Sequence, residues 1–94
     1  MRIVWTAPAL SGLQALRACI ARDQPSAAAL QIEHFLVAIG GLVRFPDSGR
    51  PGRRRGTREL VIGRTPHVVA YRSRGDAIEI LRVPHGRQRW PAAL

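Results

Sequence analysis

The chain has 94 residues, with fifteen basic side chains that are all arginine, six acidic ones and a net charge of +9, which suits one compact domain with an acidic partner and leaves no room for two. The absence of lysine excludes Schiff-base chemistry and a phosphate-loop lysine, and a single cysteine, Cys19, excludes an internal disulfide or a cysteine zinc cluster. With 46% hydrophobic and 22% charged residues, the composition is that of a globular domain rather than a disordered basic tail.

In chain order, residues 2 to 5 (Arg-Ile-Val-Trp) read as a short strand. Thr6-Ala7-Pro8 follows where a signal peptide would continue apolar, and no stretch approaches the ~18 uninterrupted apolar residues of a membrane span. A cytoplasmic protein with no membrane contact is therefore expected. Thr6 offers a hydroxyl N-cap and Pro8 fits a first turn, so a helix is predicted from about Ala7 to Arg22, with Leu10, Leu13, Leu16 and Ile20 on one face. Cys19 reads as a small buried hydrophobe. Asp23-Gln24-Pro25-Ser26 reads as a turn whose proline suits the opening of the next helix. A second helix then carries Ala28, Ile32, Phe35, Leu36, Ile39 and Leu42 or Val43 as its apolar stripe, and the two helices should pack as a hairpin.

The charge is uneven: residues 1–43 hold three arginines, residues 44–94 twelve. Phe45-Pro46-Asp47-Ser48-Gly49-Arg50-Pro51-Gly52 has the proline and glycine density of an irregular loop, and Arg53, Arg54 and Arg55 prolong it as a charge run expected to be mobile. Three β segments follow, Thr57 to Ile62, His67 to Ser73 and Ala77 to Val83, joined by short turns that imply an antiparallel meander. The predicted fold is α+β: one domain over 1–94, a short amino-terminal strand, and a two-helix hairpin packed on an antiparallel sheet that ends in the three-stranded meander.

Gly56-Thr57-Arg58-Glu59-Leu60, Pro66-His67-Val68-Val69-Ala70-Tyr71-Arg72 and Ile80-Leu81-Arg82-Val83-Pro84-His85-Gly86 with Trp90-Pro91 resemble the carboxyl half of the ParE/RelE superfamily of type II toxin–antitoxin toxins. Trp5 before an alanine-rich helix, and Phe45-Pro46 with Gly49-Arg50-Pro51, resemble its front half. The resemblance implies a small α/β toxin silenced by a cognate acidic, ParD-like antitoxin. Its ParE branch poisons DNA gyrase, and its RelE branch cuts messenger RNA on the ribosome. The ribonuclease branch holds a phosphate with basic residues and moves a proton with a carboxy-terminal tyrosine or histidine. Here the only tyrosine is Tyr71 in mid-strand, and Val68 or a neighbour stands where a catalytic strand arginine would align. The ParE branch is favoured, with a RelE-like endonuclease as the alternative.

Under that alternative His67, His85 and Arg82 would be the catalytic group, because phosphodiester cleavage needs an acid, a base and cationic stabilisation. The plainer reading makes His67 a strand-edge residue and His85 a hydrogen-bonding residue before a turn, so no catalytic residue is assigned. His85, Arg87, Arg89 and Trp90 are the candidates for target binding; Arg50, Arg53, Arg54 and Arg55 could grip phosphates, nucleic acid or antitoxin carboxylates, the last being the role assigned, with a solvated surface loop as the plainer reading. Arg58 and Arg82 sit among apolar residues and each should have a partner such as Glu59, Glu79, a carbonyl or a ligand. Three scattered histidines give no metal spacing, and neither a cofactor nor sequence-specific nucleic-acid binding is expected.

Overall fold

Thr6 starts the first helix as its residue type predicts: its side-chain oxygen accepts from the Ala9 amide at 3.3 Å, and Pro8 lies in the first turn. Strand β1 (Arg2–Trp5) thus leads directly into α1 (Ala7–Asp23). The protein is described from a computed structural model, over residues 1–65 and 67–83. Helix α2 (Pro25–Gly40) opens on Pro25, so Gln24 alone separates the helices where the sequence suggested a four-residue turn. Proline lacks the amide that a first helical residue leaves unpaired, and the second helix can start at once. A 3-10 turn, Gly41–Val43, ends it.

Strands β2 (Arg50–Pro51), β3 (Arg58–Val61), β4 (Val68–Arg74) and β5 (Ala77–Arg82) join β1 in one sheet of order β1-β5-β4-β3-β2. β3, β4 and β5 form the expected antiparallel meander. β1 lies parallel to β5, with Ile3 beside Ile78 and Trp5 beside Ile80, so the sheet is mixed and not wholly antiparallel. Thr6 fixes that direction: its amide donates to the Ile80 carbonyl at 3.2 Å and its hydroxyl to the same oxygen at 2.8 Å, which ties the start of α1 to β5.

Alternation along the strands sends Ile3, Trp5, Leu60, Val69, Tyr71, Ile78 and Ile80 to one face, where they meet Leu16, Phe35, Ile39 and Leu42 of the helical layer. Two positions of the predicted stripes are corrected. Leu10 and Leu36 are each 45% exposed; Ala9, outside the predicted stripe, is buried, and Ala28, within it, is buried as expected, because the closest approach of helix to core admits only a methyl group. Cys19 is half-buried. Pro25–Val43, 19 residues of mean hydropathy 1.5, is long and apolar enough to cross a membrane, yet its Phe35, Ile39 and Leu42 belong to this core.

Tyr71, fully buried, reaches out of the core with its hydroxyl, which donates to the Pro46 carbonyl at 2.8 Å and accepts from the Gly49 amide at 2.9 Å. The loop after α2 is held there. Tyr71→Phe keeps the ring and orphans both backbone groups, so a loss of about 1 to 3 kcal/mol is expected. Chemical denaturation measures it; an unchanged midpoint would mean that the loop is anchored elsewhere.

Candidate functional site

Among the described residues the helices cover one face of the sheet, and the chemistry gathers on the other. The register of β4 and β5 places Arg72 beside Glu79 and Tyr71 beside Ile80, then Ala70 beside Arg82, so Leu81 is an extra residue in β5. This bulge shifts the alternation by one. Without it Arg82 would follow Ile78 and Ile80 into the core; with it Leu81 and Arg82 both lie on the open face, and Val83 takes the core position at 1% exposure. The Thr6 hydroxyl also lies 3.3 Å from the Leu81 carbonyl, so the residue that caps α1 holds the bulge as well.

The arginine-rich loop is tied by hydrogen bonds where its composition suggested an irregular, mobile segment. The Gly52 amide donates to the Thr57 carbonyl at 2.8 Å, and the Thr57 amide and hydroxyl donate to the Arg54 carbonyl at 3.1 and 2.6 Å. Glu59, 5% exposed, is the anchor beneath it. Its carboxylate accepts from Arg50 Nε at 3.1 Å and from the Arg53 amide at 3.3 Å, and pairs with both guanidiniums. These bonds offset the cost of burying its charge.

Arg58 fulfils the expectation of a carbonyl partner, donating to Gly49 O at 2.8 Å, and adds Asp47 at 3.6 Å in place of either glutamate. Arg72 donates to Glu79 at 2.6 Å. Arg2 lies 3.9 Å from Asp76. These pairs engage four of the six carboxylates in the sequence, and the remaining two, Asp23 and Glu33, belong to the helices. Arg54, Arg55 and Arg82 have no carboxylate partner among the described residues.

Those three arginines share one cavity of about 440 Å³ with Arg72, Thr57 and Leu81, closed on one side by Thr6 and Pro8 at the start of α1. The first turn of α1 carries no acidic residue, so the partial positive charge of the helix end adds to theirs. No carboxylate or imidazole is among the described lining residues. The described lining suits an anion and includes no acid or base.

His67 is elsewhere. Its ring lies against Phe35 of α2, centroids 5.4 Å apart, on the helical side of the sheet. The sheet therefore separates His67 from Arg82. Of the other expected site residues, Arg50 and Arg53 are engaged by Glu59, Arg54 and Arg55 face the cavity, and His85, Arg87, Arg89 and Trp90 lie outside the described residues. His34 is exposed, its Nε2 2.9 Å from the Gly63 carbonyl. Sequence reasoning missed Arg72, Thr57 and the bulge. Arg72 and Glu79 were detectable as opposite charges placed symmetrically about the turn at Gly75; the bulge leaves no signal in residue type.

Residues 3–90 match the family model described as "ParE toxin of type II toxin-antitoxin system, parDE". Over 93 residues the chain is 44% identical to Y4kP of Sinorhizobium fredii, a protein with toxin in its name, covering 99% of this chain and 96% of that one. It is 32% identical over 84 residues to Toxin RelE2 of Caulobacter vibrioides, covering 89% and 93% of the two chains. A solved structure titled "Chromosomal ParDE TA system from P. aeruginosa" is similar at a TM-score of 0.81 and 28% identity, over 89% of this chain and 94% of that chain.

Proposed function

The chain belongs to the ParE family of type II toxin–antitoxin toxins, and from that premise we propose that it arrests growth by binding DNA gyrase in the cytoplasm and is silenced by a cognate acidic antitoxin. The observation that supports binding over cutting is the separation of His67, against Phe35 in the helical layer, from Arg82 on the open face. A general acid or base must reach the group it serves within hydrogen-bond distance or through one water. The net charge of +9 supports attraction of an acidic partner. Apolar surface supports the same partner: Leu30, Leu36, Val37 and Phe45 are 45 to 70% exposed around α2 and its end, an area suited to an amphipathic segment.

On this reading His85, Arg87, Arg89 and Trp90 contact the target. In the complex with the antitoxin, Arg50, Arg53, Arg54 and Arg55 would face its carboxylates, the first two already shared with Glu59. The likeness to Toxin RelE2 keeps ribosome-dependent messenger cleavage as the alternative. Two assays separate them. Purified toxin should inhibit gyrase supercoiling and promote gyrase-dependent DNA breaks, leave ribosome-bound messenger intact, and lose its effect when the antitoxin is added. His67→Gln with His85→Gln should preserve much of the gyrase effect, losing only the His85 contact, whereas loss of a catalytic acid or base would cost about 10² to 10⁴ in rate. Messenger cleavage abolished by the double substitution, with gyrase untouched by wild-type protein, would establish the alternative.

A further inference from the structure

We infer that the open-face cavity is a phosphate-binding site, taking a phosphate of a single-stranded nucleic acid and holding it without cutting it. The inference stands on the charge and geometry of the cavity and not on gyrase being the target.

Four guanidiniums line one cavity, and Glu79 engages only Arg72 among them. Arg54, Arg55 and Arg82 leave three positive charges whose mutual repulsion no described carboxylate relieves. Such an arrangement favours a ligand carrying several negative oxygens. The arginines also approach from different sides: Arg54 and Arg55 from the turn after β2, Arg72 from β4 and Arg82 from β5. A carboxylate is planar and is filled by one or two forks, whereas a tetrahedral phosphate directs its oxygens outward and accepts from several. The partial positive charge at the amino-terminal end of α1 favours the same ligand charge.

The surroundings favour a strand over an isolated ion. Leu81 and Pro8 supply apolar surface for a sugar or base beside the cations. Arg50 and Arg53, with side chains 59% and 61% exposed, extend the positive face beyond the cavity even while they pair with Glu59. Contacts of this kind read the backbone and carry no sequence preference. With no acid or base in the described lining, the phosphate would be positioned and left intact.

The test uses the full chain and fluorescent oligothymidylate and oligouridylate, with inorganic phosphate and thymidine monophosphate as competitors. Arg54→Gln, Arg55→Gln and Arg82→Gln together are expected to weaken oligonucleotide binding by about tenfold or more. The slope of log affinity against log salt should shrink by about 2 in magnitude, from roughly 0.7 per phosphate contact on a single strand. None of the three side chains has a hydrogen-bond partner among the described residues, so the variant should melt as wild type does. Arg82→Lys, which keeps the charge and loses the fork, should bind between the two and guards against a folding artefact. Arg17→Gln, Arg22→Gln and Arg44→Gln remove equal charge away from the cavity and should cost no more than about threefold, since screened charges act weakly at a distance. Competition by thymidine monophosphate matching that of the oligonucleotide would assign the site to free nucleotides, and much weaker competition to a strand; both keep the phosphate site. Three results would overturn it: equal loss in the two triple variants, which would make the binding a net-charge effect; oligoglutamate binding as tightly through the same arginines; or cleavage of the probe by wild type that the cavity variant abolishes.

Discussion

Phe35→Ala is expected to cost about 3 to 5 kcal/mol of folding stability, a large part of the ~5 to 15 kcal/mol that holds a domain together. Phe35 is fully buried on α2 and sits in the same cluster as Val69 and Tyr71 of the sheet and Leu16 of α1. Its loss removes the transfer energy of a ring and opens a void that both helices and the sheet would have to close. His67 would lose its tilted ring contact at the same time. At roughly 4 to 8 °C per kcal/mol for a domain of this size, the melting temperature should fall by more than about 12 °C. Phe45, the other phenylalanine, is 65% exposed, and its alanine variant should stay within about 0.5 kcal/mol of wild type. Similar losses at both positions would mean that the core is not where the fold puts it.

Gly12→Ala should be destabilising where helix propensity alone predicts the opposite. Alanine in a helix interior is worth about 1 kcal/mol over glycine, but a Cβ on Gly12 would stand 2.4 Å from the Val83 carbonyl oxygen and 3.1 Å from its carbon. Those are backbone atoms at the end of β5, and they cannot rotate away. Either α1 lifts from the sheet or the strand end moves, and overpacking of this kind costs about 1 to 3 kcal/mol or more. The strand end carries Arg82 and the bulge, so the variant should lose oligonucleotide binding beyond what its stability predicts. Gly40→Ala is the contrast, with nothing within 4 Å of the added methyl, and should be neutral or slightly stabilising. A Gly12→Ala protein that melts higher than wild type would show that α1 and β5 are not in contact there.

Much of the fold was legible because its signals are local. Thr6 and Pro8 placed the first helix within a residue at each end, and runs of Val and Ile around Gly75 gave the meander. What failed was set by contacts between distant segments. The stripe that included Leu10 and Leu36 was right in period, but the width of the buried face depends on how closely each helix meets the sheet, and alanines took the tightest places. β2 has two residues, too few for any periodicity, and exists because Arg50 lies opposite Glu59. The parallel placement of β1 depends on Thr6 reaching Ile80, a partner 74 positions away. At the candidate site, the arginine run was visible and its division was not. Buried Glu59 claims Arg50 and Arg53, and Arg54 and Arg55 turn toward Arg82, which a single inserted residue had moved out of the core.

The pairing of β1 with β5 also bears on how the protein is made. On the ribosome β1 emerges before the other described strands, and among them its only neighbour in the sheet is β5, the last of them in the chain. Until Ala77–Arg82 has been synthesised, β1 has no strand to pair with, and the apolar faces of the helices can meet only the β3 and β4 part of the sheet. Contacts between remote segments are slow to form because loop closure precedes their gain. Acquisition of structure is therefore expected to be late and concerted: chains arrested before β5 should stay protease-sensitive throughout, and protection should arrive in one step once that strand is free to dock. The bulge forms with β5 in the same step, so the nascent chain is without its cationic cavity until that strand has docked.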